Sequence, residues 1–186
     1  RLREADAGFG EFIAALRELG MYDDSIVIVT SDHGDSLGEG GRWGHAYTIF
    51  PEILRIPLIV HLPPSVRGRV AVNPSGLTFL TDLTPTLYAL LGHEPELKND
   101  VFGRPLFAAS ARDLPAAARA GASSLVVSSY GPVYGILTAN GRSLYIADAV
   151  NYTESLLDVS GDPAAPPLPL ADDTRAAYRE AVREAV

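Results

Sequence analysis

Apolar residues recur along this chain with two different periods. Between Leu2 and Leu19, the residues Phe9, Phe12, Ile13, Leu16 and Leu19 fall at three- and four-residue intervals. That spacing predicts one stripe of an amphipathic helix. Gly20 is placed to stop it as a C′ residue. Ser25 to Thr30 is uninterrupted and β-branched, the pattern of a strand buried on both faces as in a parallel sheet. Residues 34 to 48 hold five glycines among polar groups and predict a loop. Ile56 to Leu62 is a second apolar strand, with Pro57 tolerable at its start and Pro63-Pro64 ending it. A short helix follows, with Thr84 as N-cap, Pro85 at N1 and Gly92 at C′. Helix, strand, loop, strand, helix is the order of an α/β domain.

From about residue 110 the pattern changes. Ala111 to Ala122 is Ala- and Arg-rich, either a helix or a loose connector. Leu125 to Ser129, Val133 to Thr138 and Ser143 to Ala147 are short strand-like runs. Gly131-Pro132 separates the first two, and Asn140-Gly141 is a two-residue hairpin signal between the last two. A small antiparallel sheet is expected. Pro163 to Pro169 is extended, and Asp173 is placed to cap a final helix. The expected organisation is an α/β portion over 1–110 and an antiparallel-sheet subdomain with a terminal helix over 111–186.

Composition narrows the classes of function. A chain of 186 residues builds one domain, or one and an appendage. A formal net charge of −8 argues against nucleic acid as the main partner. The absence of cysteine removes disulfides, thiolate metal sites and a Cys nucleophile, and leaves the redox compartment open. No apolar run reaches the roughly 18 residues that a membrane span needs, and no signal peptide is visible. The first residue is Arg1 rather than Met, which processing and excision from a longer protein explain equally.

The densest chemistry lies in Thr30-Ser31-Asp32-His33-Gly34-Asp35, directly after the apolar run Ile26 to Val29. In open α/β sheets, ligands bind outside the carboxyl ends of strands. Carboxylate and imidazole together suit Zn²⁺ or Mn²⁺, whereas an all-oxygen site suits Ca²⁺ or Mg²⁺. A turn-capping Asp beside a surface His gives the same dipeptide, so spacing alone leaves both readings open. His45, flanked by glycine in Gly41-Arg42-Trp43-Gly44-His45, is able to reach a ligand or an anion, or to be idle in its loop. Trp43 either packs over a pocket or pins the loop. Asp35 and Glu39 are candidate acceptors for the imidazoles, with solvated carboxylates as the alternative. His61, inside an apolar strand, reads as a core histidine, and His93 follows a helix C-terminus, where positive charge is mildly favoured; neither is given a catalytic role.

These residues form a recognisable series. The run DDSIVIVTSDHGDSLGEGGRWGHAYTIFPEILRIPLIVHLP closely resembles the sulfatase branch of the alkaline phosphatase superfamily. There an apolar strand leads into Ser-Asp-His-Gly or Ser-Asp-Asn-Gly, then a Gly- and Glu-containing loop, Trp-Gly with a Lys or His, and an Arg-Val-Pro-Leu-Ile strand. Here the last element reads Arg55-Ile56-Pro57-Leu58-Ile59. LTDLTPTLYALLG resembles the family's next helix, and Phe102-Gly103-Arg104-Pro105-Leu106 the stretch after it. Tyr145, Leu156-Leu157-Asp158 and Asp162-Pro163 look like its C-terminal strands. The resemblance implies the C-terminal part of a mainly parallel α/β sheet with flanking helices, followed by a small antiparallel subdomain. It also implies that Asp32 and His33 ligate a divalent metal ion: Ca²⁺, or Mn²⁺ or Zn²⁺ in a phosphatase-like branch. His45 would contact the sulfate or phosphate oxygens and help the leaving group depart, with Trp43 beside it as a substrate contact.

The departures shape the expectation as much as the matches. Family members bind their metal through further carboxylates near the N-terminus and carry the nucleophile there, as a formylglycine in sulfatases or a Thr or Ser in phosphoryl transferases. This chain has no upstream Asp-Asp strand and no Cys-x-Pro-x-Arg motif. The expectation is a C-terminal portion that lacks the nucleophile, holds metal weakly alone and turns over little or nothing. Gly40 stands where many relatives have His, and Phe50-Pro51 replace a common Tyr-Asp or Tyr-Glu, so substrate contacts are expected to differ. The activity implied for the full-length protein is hydrolysis of sulfate esters. A phosphoryl ester hydrolase or transferase of the same superfamily, and a non-catalytic binding or structural module, are the alternatives. The expected partners are a small sulfate or phosphate ester and the remaining N-terminal half. Bacterial members of the family are often exported or membrane-anchored, which implies a periplasmic, extracellular or anchored location.

Overall fold

The computed structural model describes residues 2–46, 48–72, 77–93, 103–108, 123–138 and 141–186. In chain order its first elements are α1 (Leu2–Glu18), β1 (Val27–Thr30), β2 (Ser36–Leu37), β3 (Trp43–Gly44), α2 (Pro51–Leu54), β4 (Leu58–His61), α3 (Pro64–Arg67) and β5 (Ala71–Val72). Then come α4 (Leu83–Leu91), β6 (Phe107–Ala108), β7 (Ser124–Val127), β8 (Val133–Leu137), β9 (Ser143–Asp148), β10 (Thr153–Asp158) and α5 (Asp172–Ala185). They group into two compact units, Arg1–Thr30 with Pro57–Pro115, and Ser31–Ile56 with Ala116–Val186. The expected connector over Ala111 to Ala122, Asn140 of the hairpin signal and Phe102 lie outside the described residues. No described helix is long and apolar enough to cross a membrane.

In the first unit, both helix stops work as the glycines predict. Gly20 (φ 67°) and Gly92 (φ 72°) adopt the left-handed conformation that costs an L side chain strain. Each closes a Schellman motif: Met21 N–H donates to Leu16 O and Gly20 N–H to Arg17 O, and likewise His93 to Tyr88 and Gly92 to Ala89. The apolar stripe of α1 is present but not buried, since no residue of α1 is buried among the described ones. β1 and β4 pair antiparallel, Val27 opposite His61 and Thr30 opposite Leu58, and both strands are only partly covered. The parallel, doubly buried strand expected for Ser25 to Thr30 is corrected on both counts. A continuous apolar run records hydrophobicity but not direction. Here the register, Val27 opposite His61 and Thr30 opposite Leu58, sets the two strands in opposite directions.

α4 also starts earlier than expected. A 3₁₀ turn at Leu80–Asp82 runs into it, so Thr84 and Pro85 sit within the first turn rather than at N-cap and N1. The buried Asp82 carboxylate accepts the N–H groups of Phe79 and Arg104, each at 2.9 Å. Thr86 Oγ1 accepts Leu106 N–H at 2.9 Å, so the Gly103–Leu106 stretch is tied to the start of α4. His61 is the structural histidine its strand position implied. Its Nε2–H donates to Tyr22 O at 3.1 Å and its ring stacks on Tyr22 at 4.1 Å.

The second unit holds a four-stranded antiparallel meander, in the order β10-β9-β8-β7. The predicted β8–β9 hairpin is present, with Leu137 opposite Leu144 and Gly141 at φ 66°. β9 is buried on both faces. On one, Leu144 and Gly135 meet the buried Ile49, whose Cδ1 lies 2.6 Å from where a Cβ on Gly135 would be. On the other, Tyr145 stacks on Tyr178 of α5 at 4.8 Å, nearly parallel at 5°. α5 begins at Asp172 with Ala171 in the cap position, so Asp173 falls in its first turn instead of capping it, its carboxylate bonded to Thr174 N–H.

Candidate functional site

Residues 31–56 form an arm of the second unit that turns twice and carries the candidate chemistry. Asp32 Oδ1 accepts His33 N–H at 3.0 Å, which fixes the carboxylate over the turn. His33 Nδ1 lies 2.8 Å from Gly34 O. A carbonyl only accepts, so Nδ1 carries a proton, and in the neutral ring Nε2 keeps the lone pair. That Nε2 lies 3.7 Å from Asp32 Oδ2, and both side chains are exposed. One oxygen and one nitrogen donor are thus presented side by side, with the ring oriented by a backbone acceptor, as ligating imidazoles are.

The geometry of the turn comes from Gly34. Its N–H donates to Ile53 O at 2.7 Å, and a Cβ there would lie 2.0 Å from Glu52 O. Only glycine permits this approach to the backbone at α2. The chain then runs through the two-residue ladder of β2 and β3, Ser36 opposite Gly44 and Leu37 opposite Trp43. His45 follows at the open end. Its ring stacks on that of His33 at 4.1 Å and 29°. Its Nδ1–H points at Asp35 Oδ1, 3.2 Å away. The structure therefore brings together Asp32, His33, Asp35 and His45.

The other candidates lie elsewhere in the arm. Glu39 does not accept from an imidazole; its carboxylate accepts Leu37 N–H and closes the turn between β2 and β3. Trp43 is 78 % exposed and lays its ring 3.3 Å from where a Gly38 Cβ would be. Gly40 adopts φ 53°, with the Arg42 guanidinium filling the space beside it. Phe50 packs under that same guanidinium at 4.2 Å, and Pro51 is buried at the start of α2.

Residues that spacing did not single out hold the arm together. Glu52 Oε1 accepts Ser36 Oγ–H at 2.7 Å and Arg42 Nε–H at 2.8 Å. Arg42 Nη2 also donates to Pro163 O at 2.9 Å, and Arg55 Nη1 to Val159 O at 3.0 Å. Burial pushes the Glu52 carboxyl up, but the bonds from Arg42, its own backbone and Ser36, with the Arg42 charge, outweigh it and hold it below its ordinary value. A single carboxylate within the apolar stretch Ile49 to Leu54 was the available signal.

As to a metal, the donor set fits in part. Asp32 and His33 offer mixed oxygen and nitrogen at a chelating separation. Among the described residues no group of three or more His, Asp or Glu side chains is arranged to hold an ion.

Comparison with known proteins gives one consistent answer. The Sulfatase family model matches residues 1–93. A low-salt glycan biosynthesis sulfotransferase of Haloferax volcanii is 37 % identical over 90 residues, 46 % of this chain and 22 % of the relative. A choline-sulfatase of Rhizobium meliloti is 38 % identical over 87 residues, 47 % of this chain and 16 % of the relative. A crystal structure from Bacteroides thetaiotaomicron VPI-5482 superimposes with a TM-score of 0.64 at 22 % identity, covering 93 % of this chain and 37 % of the other. A solved 2-O GAG sulfatase does so at 0.60 and 20 %, with the same coverage of each. The matched segment spans about a fifth of the first of these relatives.

Proposed function

The chain belongs to the sulfatase family, and from that premise we propose that residues 31–45 supply part of the active site of a metal-dependent sulfate-ester hydrolase. Asp32 Oδ2 and His33 Nε2 are the metal ligands in this reading. The observation that carries it is their 3.7 Å separation, with His33 held in one tautomer by Gly34 O. Mixed donors suit Mn²⁺ or Zn²⁺, and an oxygen-rich remainder of the shell would suit Ca²⁺. Two donors are fewer than any of these ions takes. In this reading the remaining ligands and the nucleophile come from other segments of the full-length protein. When bound, the metal supplies Lewis acidity to a sulfate oxygen.

His45 does the chemistry this chain contributes itself. With Nδ1–H directed at Asp35, its Nε2 is the atom left for the substrate. As the imidazolium, carrying a proton on Nε2 as well as on Nδ1, it contacts the sulfate oxygens and gives the Nε2 proton to the leaving oxygen. Trp43 offers an exposed apolar face to the organic part of the ester. The relatives named for sulfate chemistry support sulfate over phosphate as the group handled. A second reading, sulfuryl transfer to an acceptor other than water, is favoured by the relative named a sulfotransferase.

The test is made on the full-length protein. Asp32→Ala abolishes metal retention and hydrolysis of an aryl sulfate; retained activity at full metal occupancy would sink the ligand assignment. His45→Ala lowers kcat on alkyl sulfates, whose leaving groups are poor, more than on nitrophenyl sulfate. Equal losses on both would remove its leaving-group role.

A further inference from the structure

We propose that Glu52 is the positioning residue of this site: it ties together the two strands of chain that carry His33 and His45 and so holds the two rings face to face. Ser36, bonded to Glu52, lies three residues beyond His33, and Arg42, bonded to the same oxygen, lies three residues before His45. The backbone at Glu52 meets the first strand again, because Gly34 packs on Glu52 O and donates to Ile53 O. One residue of α2 thus grips both arms of the turn.

Three observations favour positioning over mere packing. The Glu52 side chain is only 5 % exposed, so a carboxylate has been taken out of water. Its second oxygen, Oε2, is buried with no hydrogen-bond partner among the described residues. Burying a half-satisfied carboxylate beside one arginine is a poor way to gain stability; fixing one arrangement of the chain is the better-attested use of such a pair. Finally, the ladder joining the two arms is two residues long, too short to hold them on its own. Arg42 extends the clamp to the rest of the unit through Pro163 O and the Phe50 ring.

The functional meaning of this clamp rests on the site proposed above, but its geometry does not. In the full chain, a nuclear Overhauser cross-peak between the His33 and His45 rings reports their stacking, and one between Tyr145 and Tyr178 reports the fold of the same unit. Glu52→Ala, and Arg42→Ala from the more exposed end of the clamp, are expected to lose the histidine cross-peak and keep the tyrosine one. Glu52→Gln, which keeps shape and an acceptor but no charge, recovers part of it. If Glu52→Ala loses both cross-peaks, Arg42→Ala decides. Persistence of the histidine cross-peak in Arg42→Ala, or in Glu52→Ala with the tyrosine peak intact, overturns the proposal. A metal reading that fails, with no broadening of His33 by Mn²⁺ in the unaltered chain, leaves these outcomes unchanged and is seen separately.

Discussion

Glu154 and Asp32 belong to the same unit and are treated in opposite ways. Glu154 joins β10 to α5: both its oxygens accept from Arg179, at 2.6 and 2.7 Å, the Tyr145 hydroxyl donates to it as well, and Arg175 Nε lies at 3.4 Å. The Arg179 bonds hold its carboxyl below the ordinary value, against a smaller upward push from burial. Asp32 sits on a turn with its side chain 87 % exposed, one oxygen bonded to its neighbour's N–H and the other 3.7 Å from an imidazole nitrogen. The first arrangement engages both oxygens within the protein and fastens a helix. The second leaves a donor pair open to something else. A cluster with its valence filled is a fastening; one with donors aligned and unfilled is a place for a ligand.

That contrast is broken most sharply at the fastening. Tyr145→Ala removes a fully buried ring between the sheet and Tyr178 and costs about 3–5 kcal/mol, read by urea unfolding. High pH is the next lever. Burial, then the bond to Glu154 and its charge, push the Tyr145 hydroxyl up to about 12. A raised value in the folded state means that its contribution is whole below the unfolded phenol's pKa of about 10. It is lost as pH rises through about 12. Stability measured across that window falls in the wild type, and Tyr145→Phe removes the fall. At neutral pH the same Tyr145→Phe costs only about 1 kcal/mol, one hydrogen bond, because Arg179 still pairs with Glu154. The smallest effect on stability belongs to the site: Asp32→Ala changes unfolding by less than about 0.5 kcal/mol. A larger loss would make Asp32 a structural residue and erase the contrast.

The sequence was most legible where local rules decide. The stripe of α1, the glycine stops at Gly20 and Gly92 and the β8–β9 hairpin each depend on a few consecutive residues. The antiparallel sense of β1 and β4 was not readable, since side-chain pattern is the same in either direction. Asp32, His33 and His45 were legible as candidates through their type and order, and their meeting adds the geometry. Glu52 and the Tyr145–Glu154–Arg179 cluster were hidden for one reason. Their partners lie nine to twenty-five residues away, and no local rule couples Ser36 to Glu52 or Arg179 to Glu154.

The central claim is that Asp32 and His33 are a donor pair for a divalent cation, and Mn²⁺ tests it directly on the full chain. Its paramagnetism broadens nearby resonances even when binding is weak, as two donors imply. Titrated into the wild type, Mn²⁺ is expected to broaden the imidazole resonances of His33 first, and to leave them sharp in Asp32→Ala. A His33 that stays sharp in the wild type, or broadens equally without Asp32, contradicts the assignment.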